Sequence, residues 1–105
     1  MRGLTDFGKI RNTDTPFWYY DMDLLRATVD KAAELSRKYG IGLHYAVKAN
    51  VEPRIVQYIS SKGFGADCVS GNEVVFAAEN GFSPDTIVYA GVGKTDKEIN
   101  TALDL

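Results

Sequence analysis

A chain of 105 residues has room for one small domain and no more. With 45% hydrophobic and 25% charged residues it has a globular composition, which excludes disordered and collagen-like classes. The formal charge of −2 comes with no Lys/Arg cluster interleaved with aromatics, which excludes a nucleic-acid footprint; no apolar run reaches membrane-spanning length, and the N-terminus lacks a signal-peptide core, so a cytoplasmic protein is expected.

Residues 1–14 are polar and without sustained period, and are expected to be a loose lead-in. Phe17-Trp18-Tyr19-Tyr20, after Pro16, is a dense run of strand-forming aromatics and predicts a short strand bounded by Asp21. Asp21 or Asp23 caps a helix whose apolar residues Leu24, Leu25, Val29, Ala32, Ala33 and Leu35 recur near a 3.6 period as far as Tyr39, and whose role is core packing. Gly40 ends it in the manner of a left-handed cap.

The stretch Ile41 to Asn50, I-G-L-H-Y-A-V-K-A-N, follows as a strand. Alternation sorts Ile41, Leu43, Tyr45 and Val47 onto one face and Gly42, His44, Ala46 and Lys48 onto the other. The second face is unusual for a run otherwise suited to burial, because it carries two small residues, a histidine and an ammonium. A buried unpaired lysine is costly, so Lys48 either escapes to solvent at the strand end or is used there. Asn50 to Pro53 turn into a helix with Ile55, Val56 and Ile59 on its apolar face, ended by Lys62-Gly63. Phe64 to Val69 is a brief strand, and Ser70-Gly71-Asn72-Glu73 has capping-box spacing before a helix that stops at Asn80-Gly81. Thr86 to Ala90 is a further apolar strand, Gly91 to Lys94 a loop, and Thr95 with Glu98 a second capping box into a helix running toward Leu105.

After the aromatic segment, three β-α units with short, Gly-marked connections imply parallel strands covered by helices. The fold class expected is therefore α/β: the N-terminal part of a barrel of the (β/α)8, TIM type, which needs eight such units in about 250 residues. Because the last helix reaches Leu105 with no stop signal, the chain is expected to be an N-terminal piece of a longer protein, with exposed sheet edges if it stands alone.

In such folds chemistry sits at the C-terminal ends of strands and in the loops after them. Lys48, Asp67 near the next strand end and Glu73 in the first turn of the following helix can converge on one rim. A nucleophilic lysine requires a desolvated pocket, whereas a solvated Lys48, a loop-capping Asp67 and a helix-capping Glu73 are the plainer alternatives. Gly63-Phe64-Gly65 and Gly91-Val92-Gly93-Lys94 lack P-loop spacing and read as turn glycines. Cys68, the one cysteine, has no histidine partner nearby and reads as a small packed residue; His44, the one histidine, reads as an interior packing residue. One cysteine and one histidine also leave no internal disulfide or metal set, as suits a reducing compartment.

T-P-F-W-Y-Y-D at Thr15 to Asp21, H-Y-A-V-K-A-N at His44 to Asn50 and G-A-D-C-V-S-G-N-E at Gly65 to Glu73 together resemble the opening of the pyridoxal-phosphate decarboxylases of the alanine-racemase fold type. The likeness continues through Asn80-Gly81-Phe82, Ile87-Val88-Tyr89 and Gly93-Lys94-Thr95-Asp96. Within that group the T-P-F entry, the V-S-x-x-E helix start and the G-K-T-D turn are most similar to the diaminopimelate decarboxylases. The ornithine and arginine decarboxylases, the alanine racemases and a non-catalytic barrel that merely holds the cofactor are the alternatives.

The resemblance implies that Lys48 holds pyridoxal 5′-phosphate covalently, that Ala46 is the small residue beneath it, and that Asp67 and Glu73 are an acidic pair that tunes the site. It implies decarboxylation of an amino acid, meso-diaminopimelate to L-lysine, in a homodimer whose sites are completed across the interface. It divides the chain into residues 1–21, a lead-in and a strand that would join an absent C-terminal β-domain, and residues 22–105, the first part of the cofactor-binding barrel. The remaining cofactor and substrate groups of the family would come from later sequence, so the 105 residues alone are expected to bind the cofactor poorly and to be inactive.

Overall fold

The computed structural model describes residues 7–105, so the start of the expected lead-in lies outside the described residues. A single helical turn, α1 (Phe7–Ile10), appears within that lead-in. The aromatic run Phe17–Tyr20 is not a strand. A strand exists only against a hydrogen-bonded partner, and no described segment pairs with it.

Helix α2 (Met22–Tyr39) starts where Asp21, rather than Asp23, accepts the Leu24 N–H at 3.0 Å, and ends at Gly40 with φ 64°. Ala33 is buried, and Met22, Leu25 and Val29 pack on the core. Leu24 and Leu35 stay exposed, since no further helix covers the outer side of α2 among the described residues. Strand β1 (His44–Ala46) is shorter than expected. It begins at His44 because pairing begins there: the Gly65 N–H donates to the Leu43 carbonyl, and His44 stands opposite Gly65 in the parallel ladder.

Helix α3 (Pro53–Ser61) has Pro53 in its first turn and Glu52 as its cap. Strand β2 (Gly65–Cys68) leads to α4 (Gly71–Glu79), β3 (Ile87–Tyr89) follows, and α5 (Asp96–Leu103) closes the described chain. The Thr95–Glu98 capping box forms in both directions. At Ser70 only half of the box forms: the Ser70 hydroxyl accepts from the Glu73 N–H at 3.2 Å, but the Glu73 carboxylate reaches back to the Val69 N–H instead, at 2.7 Å. Helix α5 stops at Leu103, short of the expected run to Leu105.

The three strands form one parallel sheet in the order β1-β2-β3, with Ala66 opposite both Tyr45 and Ile87. Parallel neighbours joined through helices are the β-α units read from the sequence. The core lies on one face, where Val47, Val56, Ala66 and Cys68 are closed to solvent beneath Ile55, Ile59, Val74, Ala77 and Phe82. Each of the fully buried valines contributes about 1.5–3 kcal/mol, and Ala66 less. Outside the core, Tyr58 ties α3 to α2: its hydroxyl donates to Asp30 at 2.7 Å and Lys62 pairs with the same carboxylate at 2.9 Å. Among the described residues the opposite face of the sheet carries no helix, and both outer strands have an unpaired edge. The molecule is accordingly a slab of 50 × 38 × 21 Å with a radius of gyration of 16.4 Å. A closed globule of this length would have a radius of about 13 Å.

Candidate active site

The register places Ala46 beside Asp67, and Asp67 beside Val88, on the open face of the sheet. Tyr45, Ala66, Cys68, Ile87 and Tyr89 point the other way, into the helix layer. The expected separation of faces therefore holds within β1. It does not extend to Lys48, because the strand gives way to a single 3-10 turn over Val47–Ala49. Val47 is buried completely, whereas Lys48 and Ala49 are exposed. Lys48 thus stands on the rim at the C-terminal end of β1, held up by the turn rather than by the strand. The desolvation that a nucleophilic lysine needs is not supplied by these residues.

Ala46 and Asp67 are both half-buried. Glu73, also half-buried, lies one loop further along the same rim, but its carboxylate is engaged with the Val69 N–H. Glu73 therefore shapes the loop between β2 and α4 by holding the residue before the cap, which differs from the reciprocal capping box read from its spacing. Cys68 is inaccessible on the helix side, and burial, with Glu73 and Asp67 adding to it, pushes its thiol up to about 11. That is a packed residue, as expected, and not a nucleophile.

His44 departs from the sequence reading. It is exposed, not interior, because the face it shares with Ala46 has no covering layer. Its ring lies close over Gly65, where an added Cβ would come within 2.5 Å of His44 Cδ2 and 2.6 Å of Nε2. Gly65 is therefore a strand residue under a ring, not a turn glycine. Gly63, with φ 84°, and Gly91 and Gly93, with φ 106° and 74°, are the turn glycines. The Gly91–Lys94 loop closes on itself, with Lys94 Nζ donating to the Gly91 carbonyl at 2.7 Å and lying 5.0 Å from the Tyr89 ring.

Two residues that sequence reasoning passed over fix the lysine turn. The Tyr45 hydroxyl donates to the Asn50 carbonyl at 2.9 Å, and the Asn50 side chain accepts the Glu52 N–H at 2.8 Å. The second is an Asx turn, and the Asn-x-Glu spacing before Pro53 was its only signal. Beside the turn is an open cavity of about 360 Å³ lined by Trp18, Tyr20, Lys48, Ala49, Asn50 and Val51, so two residues of the aromatic segment face the same space as the lysine.

A primary amine on a strand-end rim, a small residue before it and a carboxylate in register with that small residue form a donor set suited to an aldehyde-bearing aromatic cofactor. The family model for the pyridoxal-dependent decarboxylases, in its pyridoxal binding domain, matches residues 25–105. The chain belongs to this family. The family is one of decarboxylases and its cofactor is pyridoxal 5′-phosphate, in agreement with the sequence reading. Diaminopimelate decarboxylase of Bacteroides thetaiotaomicron is 46% identical over 105 residues, covering 99% of this chain and 27% of the relative. That of Aquifex aeolicus is 53% identical over 60 residues, covering 57% of this chain and 14% of the relative. The crystal structure of diaminopimelate decarboxylase from Helicobacter pylori complexed with L-lysine is 36% identical with a TM-score of 0.75, over 92% of this chain and 25% of that one. The chain spans about a quarter or less of the length of these relatives.

Proposed function

We propose that this chain serves as the opening part of a longer pyridoxal-phosphate decarboxylase that converts meso-diaminopimelate to L-lysine and carbon dioxide. The observation that carries the reading is Lys48, an exposed lysine on a 3-10 turn at the C-terminal end of β1, just past the Ala46–Asp67 pair of the ladder. The substrate is supported by the diaminopimelate decarboxylase at 46% identity over nearly the whole chain, and by the neighbour solved with L-lysine. In this reading residues 1–21 lead into the domain and residues 22–105 begin the barrel. The complete enzyme is a cytoplasmic homodimer, in keeping with the single free thiol of Cys68; no helix of the described residues is long and apolar enough to cross a membrane.

When bound, pyridoxal phosphate supplies an electron sink for the pair left behind as carbon dioxide departs. Lys48 would hold it through its amine. Ala46, whose side chain ends at Cβ, leaves the open face clear below that amine, and Asp67 presents an acceptor at the same height in the neighbouring strand. Glu73 keeps the β2–α4 loop in shape by holding the Val69 N–H. Water is excluded by groups outside this chain, because Lys48 is open to solvent here.

Borohydride reduction of the complete protein with pyridoxal phosphate, followed by peptide mapping, tests the assignment. The label is expected on Lys48, and Lys48→Ala is expected to lose diaminopimelate decarboxylation by at least about a hundredfold, the loss that misplacing a reacting group by about 1 Å already brings. A label on another lysine overturns the role of Lys48. Ornithine or arginine turned over in place of diaminopimelate overturns the substrate. The isolated 105 residues are expected to show no turnover.

A further inference from the structure

The Lys48 turn is held from below by a clasp of hydrogen bonds that runs from Tyr45 to Glu52. Val47 anchors the front of the turn in the core with no exposed surface. Asn50, at its back, is extended with φ −163° and ψ 132°, ordinary backbone that any residue adopts. Tyr45 stands two residues before the anchor, packs on the core from the helix side of the sheet, and donates its hydroxyl across the turn to the Asn50 carbonyl at 2.9 Å. The Asn50 side chain then accepts from Glu52 N–H at 2.8 Å, and Glu52 caps α3. One continuous path of contacts thus runs from strand to turn to helix, with the lysine between its fixed points. Burial raises the Tyr45 hydroxyl above its ordinary range, so it stays a donor at neutral pH.

We infer that Tyr45 is a positioning residue for Lys48: its hydroxyl, through the Asn50 carbonyl, sets the height and direction of the turn from which the amine is presented. The inference rests on the proposed role of Lys48, but the geometry it concerns exists without the cofactor. Side chains that must meet a reacting atom within a fraction of an ångström depend on such supports, and a small misplacement costs far more in rate than in stability.

The test is Tyr45→Phe in the complete protein, with Tyr58→Phe as the control, since Tyr58 makes a comparable 2.7 Å bond to Asp30 away from the rim. The first readout is hydrogen exchange in the cofactor-free protein. Loss of one buried-side hydrogen bond is expected to speed exchange of the amides of residues 48–51 about tenfold, leaving β2 and α4 unchanged. The second is kinetic: kcat falls about tenfold or more with KM within about twofold, as expected for loss of alignment rather than of binding. Tyr58→Phe is expected to change neither. Unchanged exchange at 48–51 in Tyr45→Phe overturns the clasp. Faster exchange with kcat intact overturns its positioning role. A borohydride label away from Lys48 removes the proposed chemistry while leaving the exchange result to stand, so the two failures are separable.

Discussion

Replacing Gly65 with alanine probes the closest approach in the sheet. An added Cβ would overlap the Thr86 backbone carbonyl and come within 2.5 and 2.6 Å of two atoms of the His44 ring. The ring is exposed and can swing aside, but Thr86 directly precedes β3, whose Ile87 stands in register with Ala66. Moving that carbonyl therefore disturbs the β2–β3 ladder. Overpacking of this sort costs about 1–3 kcal/mol, and a backbone obstacle puts the cost at the upper end. Alanine also narrows the unfolded ensemble, which returns about 0.4–1 kcal/mol. The net expectation is a loss of about 2 kcal/mol, read as a lower urea midpoint at unchanged slope in the complete protein. His44→Ala alone is expected to stay within about 0.5 kcal/mol, as for an exposed residue. Combining the two is expected to recover less than half of the loss, because the ring is removed but the carbonyl remains. A Gly65→Ala protein as stable as its parent, or a double variant restored fully to the His44→Ala value, would refute the assignment of the backbone as the obstacle.

Ser70→Ala removes the acceptor of the Glu73 N–H at the start of α4 and is expected to cost about 1 kcal/mol, measurable as a fall in Tm; an unchanged Tm would show that Glu73 alone secures that helix start. Cys68 is expected to resist alkylation in the folded protein at pH 8, since its thiol is inaccessible and raised to about 11, and rapid single-site labelling would contradict its burial. Its titration also sets a sign. The folded state keeps the proton that the unfolded chain releases near 9.0, so this contribution is complete below pH 9 and is lost as the pH rises toward 11. Cys68→Ala is expected to flatten the decline in stability over that interval, and an identical slope would argue against the cause.

The order of elements was legible because its signals are local. Caps at Asp21, Ser70 and Thr95, the left-handed Gly40 and Pro53 in a first turn each depend on a few neighbouring residues. What depends on partners was not legible to the same degree. Phe17–Tyr20 has strand-forming residues throughout, yet forms no strand without a mate. Ile41 and Gly42 alternate correctly, but the ladder starts only at His44, where β2 comes alongside. At the site, Lys48 was expected at the end of the strand, and it stands just past the C-terminal end of β1 as its position after an apolar run implied. The 3-10 turn beneath it was not foreseen, because it arises from Val47 seeking the core and Tyr45 reaching the Asn50 carbonyl, neither of which shows in a periodicity of two. His44 was misjudged for a related reason: interior in a barrel means covered by other strands, and the described sheet has none on that face.

That open face connects the fold to the proposed chemistry. Helices α2 to α5 lie on the side of Tyr45, Ala66, Cys68, Ile87 and Tyr89, and the side left bare carries His44, Ala46, Gly65, Asp67 and Val88. A face meant only for packing would resemble the covered one, which holds no charged residue. Closing further strands over the bare face would desolvate Asp67, and a buried carboxylate persists only with a cation or several donors beside it. In the register, Asp67 lies opposite Ala46, whose side chain is too short to be that partner, and the next rim position beyond Ala46 and Val47 is Lys48. In a closed barrel the carboxylate is satisfied by a positive charge or by several donors, and His44 on the same face and Lys48 at the rim are the basic residues that the register brings near it. Under the proposed function, a small, an acidic and a basic residue at these heights of two adjacent strands serve a face that receives a cofactor rather than one that only packs.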